Sequence, residues 1–221
     1  MTVGSDTVIP VCIVRDLGIY LDSDLLMWTH VVKTASSCFA VLQQIWCIRR
    51  SVSRPTLQTL VASLVLSKLD YGCTTLAGLL ATLLDRLQSV LNAATRLIYG
   101  RRKYDHVTPL LRELHWLRVP ERITFRLATL AYRCQHNMAP HYLAIQIHQA
   151  SSVASCQRLH SASVPEFIVP RTSRLRVGDR AFCVTAARAW NTLTQSVQSS
   201  ESLAIFRRRL KTELFSGSFP D

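Results

Sequence analysis

The sequence predicts a mainly α protein: a helical bundle preceded by a short β hairpin, then a basic helical C-terminal region containing a long loop. Three observations predict it. Apolar residues recur at helical spacing after residue 29. The one clear β segment is residues 8–22. Glycine numbers 7 in 221 residues, which argues against a turn-rich all-β chain and against phosphate-cradling loops.

In residues 8–22, Val8-Ile9-Pro10-Val11-Cys12-Ile13-Val14 and Ile19-Tyr20-Leu21-Asp22 flank an Asp16-Leu17-Gly18 bend, the pattern of a hairpin. Two strands alone are marginal in water, so this piece needs a neighbour. Val31, Ala35, Cys38, Leu42, Ile45 and Arg49 step by four and three and predict a helix over about 29–50. Val32, Phe39 and Trp46 widen its stripe. Ser53 and Pro55 mark a second helix start. Leu57, Leu60, Val61, Leu64 and Val65 form its stripe, and it stops near Asp70-Tyr71-Gly72. Thr82 with Asp85 reads as a capping box. It opens a third helix whose stripe runs from Leu83 to Ile98 and ends at Gly100. Short loops favour antiparallel packing of these three helices.

Beyond Gly100, Thr108-Pro109 starts a short helix. Pro120 opens a longer one with Ile123, Leu127, Leu130, Ala131 and Cys134 on one face, and Pro140 begins another to about Ala150. Residues 151–178 are Ser-rich and read as a long loop with a short strand near 164–169. Two last helices are expected at about 179–191 and 202–215. The domain reading is therefore residues 1–28 as hairpin, 29–100 as helical bundle, and 101–221 as basic helical region.

An apolar content of 48% against 18% charged excludes a highly charged disordered chain. Neither an 18-residue apolar run nor a secretory leader pattern is visible, so no membrane partner and no secretion are expected. The seven cysteines are odd in number and lack any C-x-x-C pair, and most sit among apolar neighbours. They read as small buried hydrophobes in an intracellular setting, nuclear or cytoplasmic. Asp22-Ser23-Asp24 has metal-ligand residue types but sits where aspartate caps helices. Cys134, His136, His141 and His148 match no common zinc spacing.

Charge is uneven. Residues 1–99 hold 8 basic and 6 acidic side chains, whereas residues 100–221 hold 18 and 8. Arginine outnumbers lysine 22 to 4, and its fork suits phosphate and stacks on bases. Arg101, Arg102, Lys103, His106, Arg112, His115, Arg118, Arg122 and Arg126 crowd one segment, with Tyr104 and Trp116 between them. Cations attract phosphate and aromatic faces stack bases. Arg207-Arg208-Arg209 with Lys211 forms a second cluster on an amphipathic helix. Three consecutive residues cannot share one helix face. The competing reading is a solvated helix face with Trp116 in the core.

An ordered set of stretches resembles the C-terminal part of the reverse transcriptase of LINE-type, non-LTR retrotransposons of the jockey-like group. They are Val14-Arg15-Asp16-Leu17-Gly18-Ile19-Tyr20-Leu21-Asp22, Leu69-Asp70-Tyr71-Gly72, and Leu87 through Ile98. Asp105-His106-Val107-Thr108-Pro109-Leu110-Leu111 and Leu114-His115-Trp116-Leu117-Arg118-Val119-Pro120-Glu121-Arg122-Ile123 follow. The last are Gly178-Asp179-Arg180-Ala181-Phe182, Trp190-Asn191-Thr192-Leu193 and Phe206-Arg207-Arg208-Arg209-Leu210-Lys211. The sequence departs from the family pattern at Cys73, where the family has Asn, and at Thr194, where it has Pro.

The resemblance implies the end of a palm (8–22), a thumb (29–100) and a basic C-terminal region that hold template RNA and the primer duplex. The family's catalysis uses an Asp-Asp pair on a palm strand turn, and no two aspartates are adjacent here. Two-metal phosphoryl transfer needs closely placed carboxylates. The expectation is a non-catalytic fragment of an RNA-directed DNA polymerase. No cofactor is expected on it, since magnesium would belong to the catalytic palm. The bets for nucleic-acid contact are Arg101, Arg102, Lys103, Arg118, Arg122, Arg126, Arg207, Arg208 and Lys211, with Trp116 and Tyr104 as stacking aromatics. RNA or an RNA/DNA duplex is the expected partner, with the upstream part of the polymerase as a second. The alternative is a helical protein-interaction module or a decayed element product with no selected activity.

Overall fold

The computed structural model describes residues 2–3, 6–7, 11–150, 166–172 and 175–219. The chain is mainly helical, with a two-stranded antiparallel hairpin ahead of the helices. It divides into two compact units. Unit 1 comprises Met1–Gly72 and Leu79–Lys103, and unit 2 comprises Cys73–Gly78 and Tyr104–Asp221.

Unit 1 opens with two-residue strands β1 (Thr2–Val3) and β2 (Asp6–Thr7), then the hairpin β3 (Ile13–Asp16) and β4 (Ile19–Asp22). The hairpin is shorter than residues 8–22; Val8, Ile9 and Pro10 lie outside the described residues. Its two-residue turn places Leu17 at φ 45° and Gly18 at φ 83°. Both central residues of a type I′ turn need positive φ, which glycine adopts freely and leucine does not. The Tyr71 hydroxyl donates to the Leu17 carbonyl and holds the turn.

β4 leans on α1 (Trp28–Ile48), which supplies the neighbour a lone hairpin requires. Asp22 Oδ2 accepts from the Thr29 N–H at 3.1 Å, and Asp24 Oδ1 accepts from the Leu26 N–H at 3.0 Å. The D-x-D pair thus closes the strand-to-helix junction. Val31, Ala35, Cys38, Leu42 and Ile45 of α1 are buried, as their spacing predicts. Phe39 and Trp46 are not: they are 42% and 47% exposed.

Ser53 caps α2 (Arg54–Val61), its Oγ accepting from the Thr56 N–H. The helix continues as a π-helical turn over Ala62–Leu66 and then α3 (Ser67–Asp70). The extra residue per turn shifts the buried line to Val61, Val65, Leu66 and Leu69 and leaves Leu64 exposed, which a uniform 3.6-residue period does not anticipate. α4 (Ala81–Tyr99) buries Leu83, Leu87, Val90, Leu91, Ala94, Leu97 and Ile98 against α1. Its N-cap is Leu80 with no side-chain hydrogen bond, so the expected Thr82–Asp85 capping box does not form. Thr82 already lies inside the first turn.

In unit 2 the core is built by α6 (Val119–Gln135), α9 (Phe182–Asn191) and α11 (Leu203–Ser218). Short helices accompany them: a 3-10 turn (Cys73–Leu76), α5 (Thr108–Glu113), α7 (His141–Ala144), α8 (Leu175–Gly178) and α10 (Gln195–Gln198). Trp190, Tyr132, Phe206 and Phe167 meet at its centre, Tyr132 stacking on Phe206 at 4.4 Å. The helix expected over 140–150 stops at Ala144. Gln149 pairs with Phe167 in an antiparallel bridge instead, flanked by Ala150 N–H to Glu166 O and Ile168 N–H to His148 O, both 2.9 Å. Of the expected strand near 164–169, this bridge is what the described residues show; 151–165 lie outside them.

Candidate nucleic-acid interface

In unit 1, a cavity of about 520 Å³ opens between α1 and α4. Phe39, Leu42, Gln43 and Trp46 line it from α1, and Ala93, Arg96 and Leu97 from α4. Residues 39 and 46 are seven apart, two helical turns, so both rings project on the same side. Gly100 ends α4 in the left-handed conformation at φ 63°. Its N–H bonds the Leu97 carbonyl at 3.3 Å and the Arg101 N–H bonds Arg96 O at 2.9 Å. This closure turns the chain back, and Arg101, Arg102 and Lys103 join the cavity wall. All three are exposed. The Arg49 guanidinium lies 3.2 Å from the centre of the Trp46 ring, a cation over an aromatic face. The lining therefore combines apolar floor, two exposed rings and four cations, with no carboxylate among its residues.

Within unit 2 the expected phosphate contacts lie on α11 and on or just before α6. Arg118 precedes α6, is half-buried, and sits 5.2 Å over the Phe219 ring. Arg122 and Arg126 are one turn apart on α6, a spacing that puts them on one side; Arg126 is exposed and Arg122 half-buried. On α11, Phe206 and Leu210 are fully buried, while Arg207, Arg208, Arg209 and Lys211 are exposed. Arg209 Nη1 donates to the Ser196 carbonyl at 2.7 Å, so the middle of this cluster is engaged in holding α10. Tyr104 is 88% exposed and keeps the form of a stacking aromatic. Trp116 does not: at 9% exposed it belongs to the core, which removes it from the stacking residues. Aromatics missed by sequence reading are Phe39 and Trp46. Each directly follows a buried position (Cys38, Ile45) and so stands about 100° off the buried line, a signal available in the sequence.

Other motif residues build the fold. Asn191 Nδ2 donates to Phe167 O at 2.8 Å and Asn191 Oδ1 accepts from Phe167 N–H at 2.9 Å, a strand-like clasp. Asp179 Oδ1 accepts from Thr172 Oγ1 at 2.8 Å and Arg188 Nη2 at 3.0 Å. Arg180 donates to the carbonyls of Thr75 (3.0 Å) and Ala77 (3.2 Å), and its burial lowers its pKa. Thr194 stands at the N-cap position of α10 without a side-chain capping bond and donates its N–H to Glu213 Oε1 at 3.2 Å, a bond proline lacks a hydrogen to make.

Cys38, Cys73 and Cys134 are buried, and burial pushes the thiols of Cys38 and Cys134 up. Cys12 and Cys47 are exposed and Cys183 is half-buried, so the reading as buried hydrophobes does not hold for these three. Among the described residues no three His, Cys, Asp or Glu side chains come together. The only helix there with the length and apolarity to cross a bilayer is α1. It escapes an 18-residue apolar-run criterion because polar residues such as Lys33 and Gln43 interrupt it.

Comparison with protein-family models, curated proteins and solved structures finds no match to this chain.

Proposed function

We propose that the chain is the non-catalytic, nucleic-acid-holding part of a retrotransposon RNA-directed DNA polymerase, and that it binds RNA or an RNA/DNA duplex. The ordered motifs from Val14 to Lys211 support the family reading. One observation carries the binding: 18 basic against 8 acidic side chains in residues 100–221, rich in arginine. Arg101, Arg102 and Lys103 serve the α1–α4 cavity, while Arg118, Arg122, Arg126, Arg207, Arg208 and Lys211 are the phosphate contacts of unit 2. Tyr104 is an exposed aromatic of that unit, as is Tyr142. No chemical step is assigned to this chain, so purified protein is expected to incorporate no nucleotide on a primed RNA template.

The test is neutralisation. Replacing Arg207, Arg208 and Lys211 together by Gln removes three contacts without touching the buried Phe206 and Leu210. Binding to an RNA/DNA hybrid should weaken at every sequence tried, and the dependence on salt should lose about one unit of slope per contact. Unchanged binding contradicts the assignment, and nucleotide incorporation contradicts the non-catalytic reading.

A second reading has its own observation. Val11, Ile13, Val14 and Leu17 are 61%, 47%, 47% and 82% exposed on the hairpin. A small sheet with exposed apolar residues and no third strand paired to it among the described residues suits pairing with another polypeptide, such as the upstream part of the polymerase. Pull-down from nuclease-treated extract separates the two: partners retained after nuclease favour this reading, partners lost favour nucleic acid.

A further inference from the structure

We infer that the α1–α4 cavity of unit 1 is a site for unpaired bases of a single-stranded nucleic acid, with Phe39 and Trp46 as stacking faces and Arg101, Arg102 and Lys103 as phosphate contacts. The inference rests on the nucleic-acid reading above and narrows it to one strand form at one place.

Four features converge. First, Phe39 and Trp46 are large rings left about half exposed beside the buried line of Cys38, Leu42 and Ile45 on the same helix. Second, they are set two turns apart, about 10 Å along the axis, with Leu42 and Gln43 between them. That spacing leaves room for bases to enter beside each ring. Third, the opposite wall offers Ala93, whose small side chain leaves the cavity open, and Leu97, which is apolar. Fourth, the polar lining is cationic apart from the Gln43 amide, which can both donate to and accept from a base edge. Arg49 against the Trp46 ring fixes the indole and adds a cation beside it.

This lining selects strand form. A duplex presents phosphates and groove edges, and its base faces are covered by their neighbours. A flat or convex basic surface suffices to hold it. A recessed apolar space flanked by aromatic rings gains from a base only when its face is free, as in a single strand. The cations account for a polyanion rather than an apolar peptide, and stacking on aromatic rings tolerates every base, so no sequence preference is expected.

The experiment uses the intact chain and three labelled probes of equal length: a 12-mer oligouridine, a 12-mer oligothymidine, and a blunt 12-base-pair RNA duplex. Anisotropy titrations compare the native chain with Trp46→Ala, Phe39→Ala and Trp46→Phe, with far-UV circular dichroism confirming that each is folded. Trp46→Ala should weaken single-strand binding about tenfold and duplex binding less than twofold. Phe39→Ala should act in the same direction, and Trp46→Phe should restore most of the loss because a ring is again present. Equal loss with RNA and DNA single strands assigns the site to bases and phosphates alone; a loss confined to RNA adds the 2′-hydroxyl. The inference is overturned if Trp46→Ala leaves single-strand binding unchanged, if duplex binding falls equally, or if polyglutamate displaces oligouridine as effectively as unlabelled oligouridine does. Those results leave the arginine-borne binding of unit 2 standing. Failure of the native chain to bind any of the three probes at low salt overturns the nucleic-acid reading itself.

Discussion

The two units use their aromatic residues in opposite ways. In unit 2 the core is built on rings, although Tyr104 and Tyr142 stay at the surface: Trp190 and Phe206 are fully buried, Tyr132 nearly so, and Tyr132 donates its hydroxyl to the Ser200 carbonyl at 2.9 Å. In unit 1 the core is aliphatic, and rings lie outside it under cations. Arg86 is 5.1 Å over Trp28, Lys33 is 4.0 Å over Tyr20, and Arg54 is 3.8 Å over Tyr99. A tryptophan among arginines therefore has two meanings in one chain. The difference is whether its helical position falls on the buried line or beside it.

The comparison breaks most visibly at Trp190. Trp190→Ala should destabilise unit 2 by roughly 3–5 kcal/mol, because it removes a fully buried ring that touches Tyr132, Phe167 and Phe206. Trp46→Ala, half exposed, should change stability by no more than about 0.5 kcal/mol. Urea unfolding of the two variants measures both. Equal losses would refute the contrast between built-in and displayed rings.

Acidification should act on unit 1. His30 is buried on α1 and its burial lowers its pKa from 6.5, opposed by nearby Asp22, which raises it. The folded form keeps the ring neutral, whereas the unfolded chain takes up a proton below pH 6.5. Stability from this group is therefore complete above pH 6.5 and declines as pH falls through that value toward the lower folded pKa. Thermal unfolding of the native chain and His30→Leu between pH 8 and pH 5 checks it. The native chain should lose more on acidification than the variant.

The smallest effect concerns the hairpin turn. Leu17 occupies a left-handed position that Asn fills at lower cost, and Asn-Gly is the favoured pair for this turn. Leu17→Asn should stabilise unit 1 by about 1 kcal/mol. The same change removes the most exposed apolar side chain of the hairpin, so loss of protein partners in pull-down would support the second functional reading.

Much of the fold was legible because periodicity reports burial. The stripes of α1, α4 and α6, the Ser53 cap and the Gly100 stop all follow from spacing and local chemistry. What escaped has physical causes. The π-helical turn at Ala62–Leu66 changes the period without any proline or glycine to mark it. Cys73–Gly78 belongs with unit 2: its 3-10 turn packs on α6, and Arg180, more than a hundred residues later, binds its carbonyls, contacts that no local pattern encodes. Of the candidate site, the exposed cations were readable from charge alone. Trp116 is buried although it lies among arginines in sequence, because neighbours in sequence need not share a surface in space. Phe39 and Trp46 were absorbed into a core stripe that is narrower than their spacing suggests.

The most direct test of the central claim is the salt dependence of binding by the intact chain. The affinity for an RNA/DNA hybrid is measured between 50 and 200 mM monovalent salt at constant pH. If six or more of the proposed cations contact phosphate, affinity should fall by about a thousandfold or more across that range, linear in the logarithm of salt concentration. A flat response, or no binding at the lowest salt, would contradict the account.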